Sequence, residues 1–141
     1  MKIEEMHEKH IKQIADLEKI CFSQPWSENG LSEEINNETA RFFVCEENEK
    51  VLAYAGMHLV CGEGYVTNIA VFPEYRKMSL ATKLIEKMFS ICKISLSLEV
   101  RESNEKATNL YKKLAFKNLG KRKNFYDNPV ENGLIYTKER T

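Results

Sequence analysis

Neither sign of charge is in excess in this 141-residue chain, where 21 lysines and arginines face 21 aspartates and glutamates. A surface built to hold nucleic acid is normally more basic, so no direct nucleic-acid partner is expected. The four cysteines, Cys21, Cys45, Cys61 and Cys92, contain no C-x-x-C pair, and no histidine stands at metal-ligand spacing. That argues against a bound metal and against a disulfide framework. The cysteines read as small buried apolar side chains in a reducing compartment. His7, His10 and His58 carry no assignment. No stretch approaches the ~18 apolar residues of a membrane span, and the N-terminus, MKIEEMHEKH, is charged where a signal peptide is apolar. The expectation is a cytoplasmic protein without membrane association. Repeats, linkers and low-complexity tracts are also lacking, so residues 1–141 read as a single domain with one core.

What is present is patterned as a globular α+β (or α/β) domain. Residues 2 to 6 suit a short strand, and Ile11, Ile14, Leu17 and Cys21 recur at helical spacing, predicting a helix over 10–20. Pro25 and Ser27 break that pattern and start a second helix carrying Leu31 and Ile35. Phe42 to Cys45 and Val51 to Val60 read as a hairpin, followed by a strand over 65–71. Leu80, Leu84, Ile85, Met88 and Cys92 mark one face of a helix, and Ile94 to Val100 returns as a strand, giving a β-α-β unit with a parallel step. A helix capped by Ser103 or Asn104 follows over 105–113. Two closing strands, 116–120 and 133–138, are joined by a polar loop holding Asn124, Tyr126, Asn128 and Pro129. The architecture expected is a mixed, mostly antiparallel sheet with helices on both faces.

The stretch from Val66 to Ala81, VTNIAVFPEYRKMSLA, runs strand, turn, basic loop, helix start. The free amides of a first helical turn point one way and carry partial positive charge, which suits a pyrophosphate, and Arg76 adds a charged donor. Here N-I-A-V-x-P-x-Y-R-x-x-x-x-A resembles the coenzyme A binding motif of the GNAT N-acetyltransferases. Downstream, Leu98-Glu99-Val100-Arg101-Glu102-Ser103-Asn104, then Ala107, Leu110-Tyr111 and Leu114-Ala115-Phe116, resemble the signature of the ribosomal-protein alanine N-acetyltransferase branch. Phe22-x-x-Pro25-Trp26-Ser27 and Arg122-Lys123-Asn124-Phe125-Tyr126 are similar to further segments of that branch, so the likeness covers nearly the whole chain.

The resemblance implies a GNAT fold and acetyl transfer from acetyl-CoA, without a metal, to a protein N-terminus, with the N-terminal alanine of a small-subunit ribosomal protein as acceptor. It makes Glu99 the general base through water and Tyr111 the proton donor to the leaving thiolate. The backbone of Ile69, Ala70 and Val71 would hold the thioester. Arg76, Lys77, Met78, Ser79, Leu80 and Ala81 would hold the pyrophosphate, with Asn104 contacting the cofactor. Phe22, Pro25, Trp26, Asn124 and Tyr126 would line the acceptor entrance. The chain is expected as a monomer or weak dimer.

Each assignment has a plainer alternative. Glu99 could pair at the surface with Arg101 or Lys83, Tyr111 could be an ordinary half-buried aromatic, and Trp26 could be a core plug. The basic cluster of Lys112, Lys113, Lys117, Lys121, Arg122 and Lys123 could steer an acidic partner or be a solvated face. A small amine or a lysine as acceptor, or a non-catalytic acyl-CoA binding module, are rival functions. Two positions depart from the family pattern. Ser79 and Ala115 stand where it has glycine, and each brings a Cβ to a place that glycine fills by tolerating positive φ.

Overall fold

In a computed structural model describing residues 1–141, the chain folds as β1 (Lys2–Glu5), α1 (Ile11–Cys21), α2 (Glu28–Ile35), β2 (Ala40–Glu47), β3 (Lys50–Val60), β4 (Glu63–Val71), α3 (Leu80–Ile91), β5 (Ser95–Arg101), α4 (Glu105–Lys113), β6 (Lys117–Tyr126) and β7 (Glu131–Glu139). The strands form one sheet in the order β1-β2-β3-β4-β5-β7-β6. Every neighbouring pair is antiparallel except β4 and β5, which α3 connects as a crossover. The expected mixed sheet with one parallel step is what forms.

Two apolar clusters hold helices to the two faces. On one face Leu80, Leu84, Ile85 and Met88 of α3 and Tyr111 of α4 pack with Phe43, Leu52, Leu96 and Leu98 of the sheet. Each fully buried aliphatic side chain there contributes about 1.5–3 kcal/mol relative to exposure. On the other face Ile11, Ile14 and Leu17 of α1 and Leu31 of α2 pack against Phe42, Val44, Tyr54 and Ala70. Ser27 caps α2, its hydroxyl accepting from the Gly30 N–H at 3.0 Å.

Tight turns set the register of the β2–β3 and β3–β4 pairings. Asn48 and Glu49 (φ 52° and 65°) turn β2 into β3, and Cys61 and Gly62 (φ 52° and 85°) turn β3 into β4. Both are two-residue connections with positive φ at each central position, which matches the twist of hairpin strands. Cys61 is therefore exposed at a turn and not buried as expected; Cys45 and Cys92 are buried.

Two features of β4 shape what lies at its C-terminal end. Gly56 pairs with Asn68 while Met57 pairs with Val66, so Thr67 is an extra residue in a β-bulge. The bulge reverses the inward-outward alternation, and Val66 joins the α3 cluster whereas Ala70 joins the α1 cluster. Pairing with β5 is confined to three positions, Glu63 with Ser95, Gly64 with Leu96 and Tyr65 with Ser97. Beyond Tyr65 the two parallel strands part, leaving a wedge between them.

Two stretches differ from their sequence reading. The strand expected over 116–120 continues through the presumed loop to Tyr126 as β6, which is exposed along almost its whole length and so carries no period-2 apolar pattern. Pro73–Met78 forms a 3-10 helix and α3 begins only at Leu80, with Ser79 between them at φ 57°, ψ 30°. Pro73 lies at the start of that turn, where its fixed φ suits a helical first position.

Candidate active site

The wedge opens into a cleft of ≈ 630 Å³, lined by β4 residues Val66–Ile69, β5 residues Leu98–Arg101, the α1–α2 connection and the end of β6. That is within the ~300–1,000 Å³ of small-molecule sites. The β5-facing edge of Val66–Val71 has no strand partner, so its peptide groups are free to bind a ligand laid along it.

The cleft brings together Glu99, Tyr111, Asn104, Ile69, Phe22, Trp26 and Tyr126 from the sequence-derived set. Glu99 comes from the parted end of β5, on the sheet face opposite the buried Leu98 and Val100. Its side chain is only 4 % exposed and lies 3.2 Å from Arg122 Nε. The Tyr65 hydroxyl donates to the same oxygen, Oε1. The surface pairing with Arg101 or Lys83 does not form. Arg101 instead donates to the carbonyls of Asp127 at 2.8 Å and Pro129 at 2.9 Å, and stacks 4.6 Å from the centre of the Tyr126 ring. It therefore secures the β6–β7 connection at the rim.

Tyr111 is held between Phe116 and Tyr136, with ring centroids 5.9 and 6.1 Å away. Burial pushes its phenol up to about 12, with Tyr126 adding to the rise, so the group stays protonated throughout the physiological range. Asn104 caps α4, its Oδ1 accepting from the Ala107 N–H at 3.1 Å, and its amide N–H groups remain available.

The loop expected to hold a pyrophosphate lies past the end of β4, outside the cleft. The first-turn amides of α3 have no intrahelical partner and Ser79 does not cap them. Leu80 and Ala70 are buried, so only their backbones can serve a ligand, while Lys77, Met78 and Ser79 are exposed. Arg76 turns back onto the strand, Nε donating to the Val71 carbonyl at 3.1 Å and Nη2 to the Cys21 sulfur at 3.4 Å. Pro25 and Asn124 stand outside the cleft lining.

Sequence reading missed a buried assembly at the cleft floor. Glu18 is 1 % exposed and accepts from the Trp26 N–H at 2.9 Å and the Tyr54 hydroxyl at 2.5 Å. With its amide oxygen toward the indole, Asn68 accepts from Trp26 Nε1 at 3.2 Å and donates to Thr67 Oγ1 at 2.8 Å. Trp26 also packs 6.0 Å from the Phe42 ring, so it is at once cleft wall and core plug. The signal for Glu18 was its place on the apolar stripe of α1, four residues after Ile14. Tyr65 left no local signal, because its partner lies 34 positions away.

A sheet parted between parallel strands, offering strand amides, a sheltered carboxylate and a protonated phenol, is equipped to pass an acyl group from a thioester to an amine. Residues 11–116 match the acetyltransferase (GNAT) family, and the chain belongs to that family. It is 35% identical over 138 residues to a Bacillus subtilis protein provisionally named a ribosomal protein bS18-alanine N-acetyltransferase, covering 94% of this chain and 91% of that one. It is 33% identical over 116 residues to the Escherichia coli K12 protein of that name, covering 78% and 76% of the two chains. The crystal structure of the ribosomal-protein-S18-alanine N-acetyltransferase from Escherichia coli superposes with a TM-score of 0.88 at 28% identity, covering 98% of this chain and 92% of that one. No helix is long and apolar enough to cross a membrane.

Proposed function

We propose that this chain transfers the acetyl group of acetyl-CoA to the α-amino group of a protein N-terminus, its acceptor being the N-terminal alanine of ribosomal protein bS18. Residues 1–141 act as one GNAT domain, working in the cytoplasm, where free cysteines such as these four are the ordinary state. The observation that carries the reading is the meeting of Glu99 and Tyr111 in one cleft at the parted strands, in a chain 35% identical to a protein named for this activity.

The donor thioester lies along the free edge of Ile69–Val71, whose amides polarise its carbonyl, and Asn104 holds the arm of the cofactor. The first-turn amides of α3 take the pyrophosphate, helped by Lys77. An α-amino group has a reference pKa of ~7.7–8.0, so roughly a tenth is neutral near pH 7 and the base has little to do. The amine nitrogen attacks the carbonyl carbon, its proton passes through water to Glu99, and the C–S bond breaks. Tyr111, at about 12, is a far weaker acid than a thiol at ~8.5. Its part is therefore to donate a hydrogen bond to the departing sulfur, which takes its final proton from solvent.

The test is acetylation by the purified protein of a bS18-derived peptide beginning with alanine, followed by mass spectrometry. Modification of the α-amine is expected, with Glu99→Gln slowing turnover by about 10²–10⁴. Cofactor binding without turnover would overturn the enzymatic reading. Acetylation of a lysine side chain in preference to the α-amine would overturn the acceptor.

A further inference from the structure

Glu99 reaches further than a strand-end carboxylate has to. Oε1 receives the Tyr65 hydroxyl from β4 and lies 3.2 Å from Arg122 Nε on β6, so one side chain ties three strands together. Between β5 and β6 runs β7, and there Glu99 passes over Gly133, the cross-strand partner of Arg122. A Cβ at Gly133 would stand 3.3 Å from Glu99 Oε2, closer than most side chains tolerate. Oε2 itself is buried and has no hydrogen-bond partner.

We propose that Tyr65 and Arg122 are positioning residues for Glu99, and that Gly133 is the opening that lets Glu99 reach Arg122. The inference rests on the reading of Glu99 as base. Both donors engage one oxygen from opposite sides, which fixes the rotation of the carboxylate and leaves the other oxygen as the only one with unused lone pairs. Arg122 supplies the opposite charge that a nearly buried carboxylate needs. Burial, reinforced by Glu99, raises the Tyr65 phenol well above its ordinary value, so Tyr65 remains a donor and does not compete as a base. Arg122 also lies 5.5 Å from the centre of the Phe125 ring, linking the carboxylate to the wall of the acceptor cleft.

The experiment is steady-state kinetics on the full chain with acetyl-CoA and the alanine peptide, for Tyr65→Phe, Arg122→Gln and Arg122→Lys, each alone and combined with Glu99→Gln. Tyr65→Phe and Arg122→Gln are each expected to lower kcat about tenfold or more with the KM for acetyl-CoA unchanged, because displaced catalytic groups lose rate before they lose ligand. Arg122→Lys should recover part of the loss. Combined with Glu99→Gln, neither should cost anything further, since both act through a group already removed. Unchanged kcat in both single variants, or losses that multiply in full onto Glu99→Gln, would overturn the inference and leave the base assignment standing. A Glu99→Gln enzyme as fast as the wild type would overturn both.

Discussion

Ser79 sits at φ 57°, ψ 30°, the left-handed region that costs an ordinary residue about 1–2 kcal/mol. Its hydroxyl does not cap α3, so the serine brings strain to the loop before α3 without returning a helix bond. Ser79→Gly is expected to raise Tm slightly, glycine's greater freedom in the unfolded chain offsetting part of the relief. Removing the Cβ should also lower the Kd for coenzyme A by letting the pyrophosphate approach the amides. Isothermal titration and thermal unfolding read the two effects, and no change in either would show the serine to be neutral. The position was legible as a departure from glycine in the sequence, but its dihedral was not, because a single residue type does not fix φ. Glu99, Tyr111 and Asn104 were legible because each belongs to a long motif. Tyr65 and Gly133 matter through contacts across the sheet, which no local spacing encodes.

At the scale of elements, the end of α4 repeats the same economy of glycine. Ala115 has φ 73°, and the bonds Phe116 N–H to Tyr111 C=O at 2.9 Å and Ala115 N–H to Lys112 C=O at 3.0 Å close the helix as a Schellman motif. Ala115 is exposed, so glycine would forfeit no packing there. Ala115→Gly should stabilise the fold by about 0.5–1 kcal/mol, visible as a higher urea midpoint with an unchanged m-value. A lower midpoint would mean that unfolded-state entropy outweighs the strain. Most helices and strands announced themselves by apolar period. The second half of β6, beyond Gly120, did not, because it buries no face, and its irregular register from Arg122 to Tyr126 hides even its pairing from a sequence pattern.

The molecule as a whole carries its pH response in carboxyls that folding lowers, at the β1–β2 edge and at the rim of the cleft. At the β1–β2 edge, His10 Nδ1 accepts from the His7 N–H at 2.9 Å and its Nε2 donates to Glu46 at 2.8 Å, beside Glu4 and Lys9. His10 and Glu46 are buried, a role that three scattered histidines did not suggest. The His10 hydrogen bond holds the Glu46 carboxyl below the usual range. Lys121 does the same for Glu102, and Ser103 for Glu131. Carboxyls lowered by folding add stability that is complete above their unfolded value of about 4.3 and is lost as the pH falls through the folded ones. Tm should therefore drop steadily on acidification below about pH 4.3, and Glu46→Gln should make that slope shallower. Melting curves with the wild-type slope in that variant would remove Glu46 from the account.

The sheet is hydrogen-bonded across its parallel seam at only three pairs, although one apolar cluster runs beneath both sides. A thioester arm laid along Val66–Val71 would act as a missing strand there, completing the sheet it binds. Substrate occupancy and fold integrity are then a single equilibrium, growing as RT ln(1 + [L]/Kd). A cell rich in donor would hold this protein in a sturdier state than a starved one.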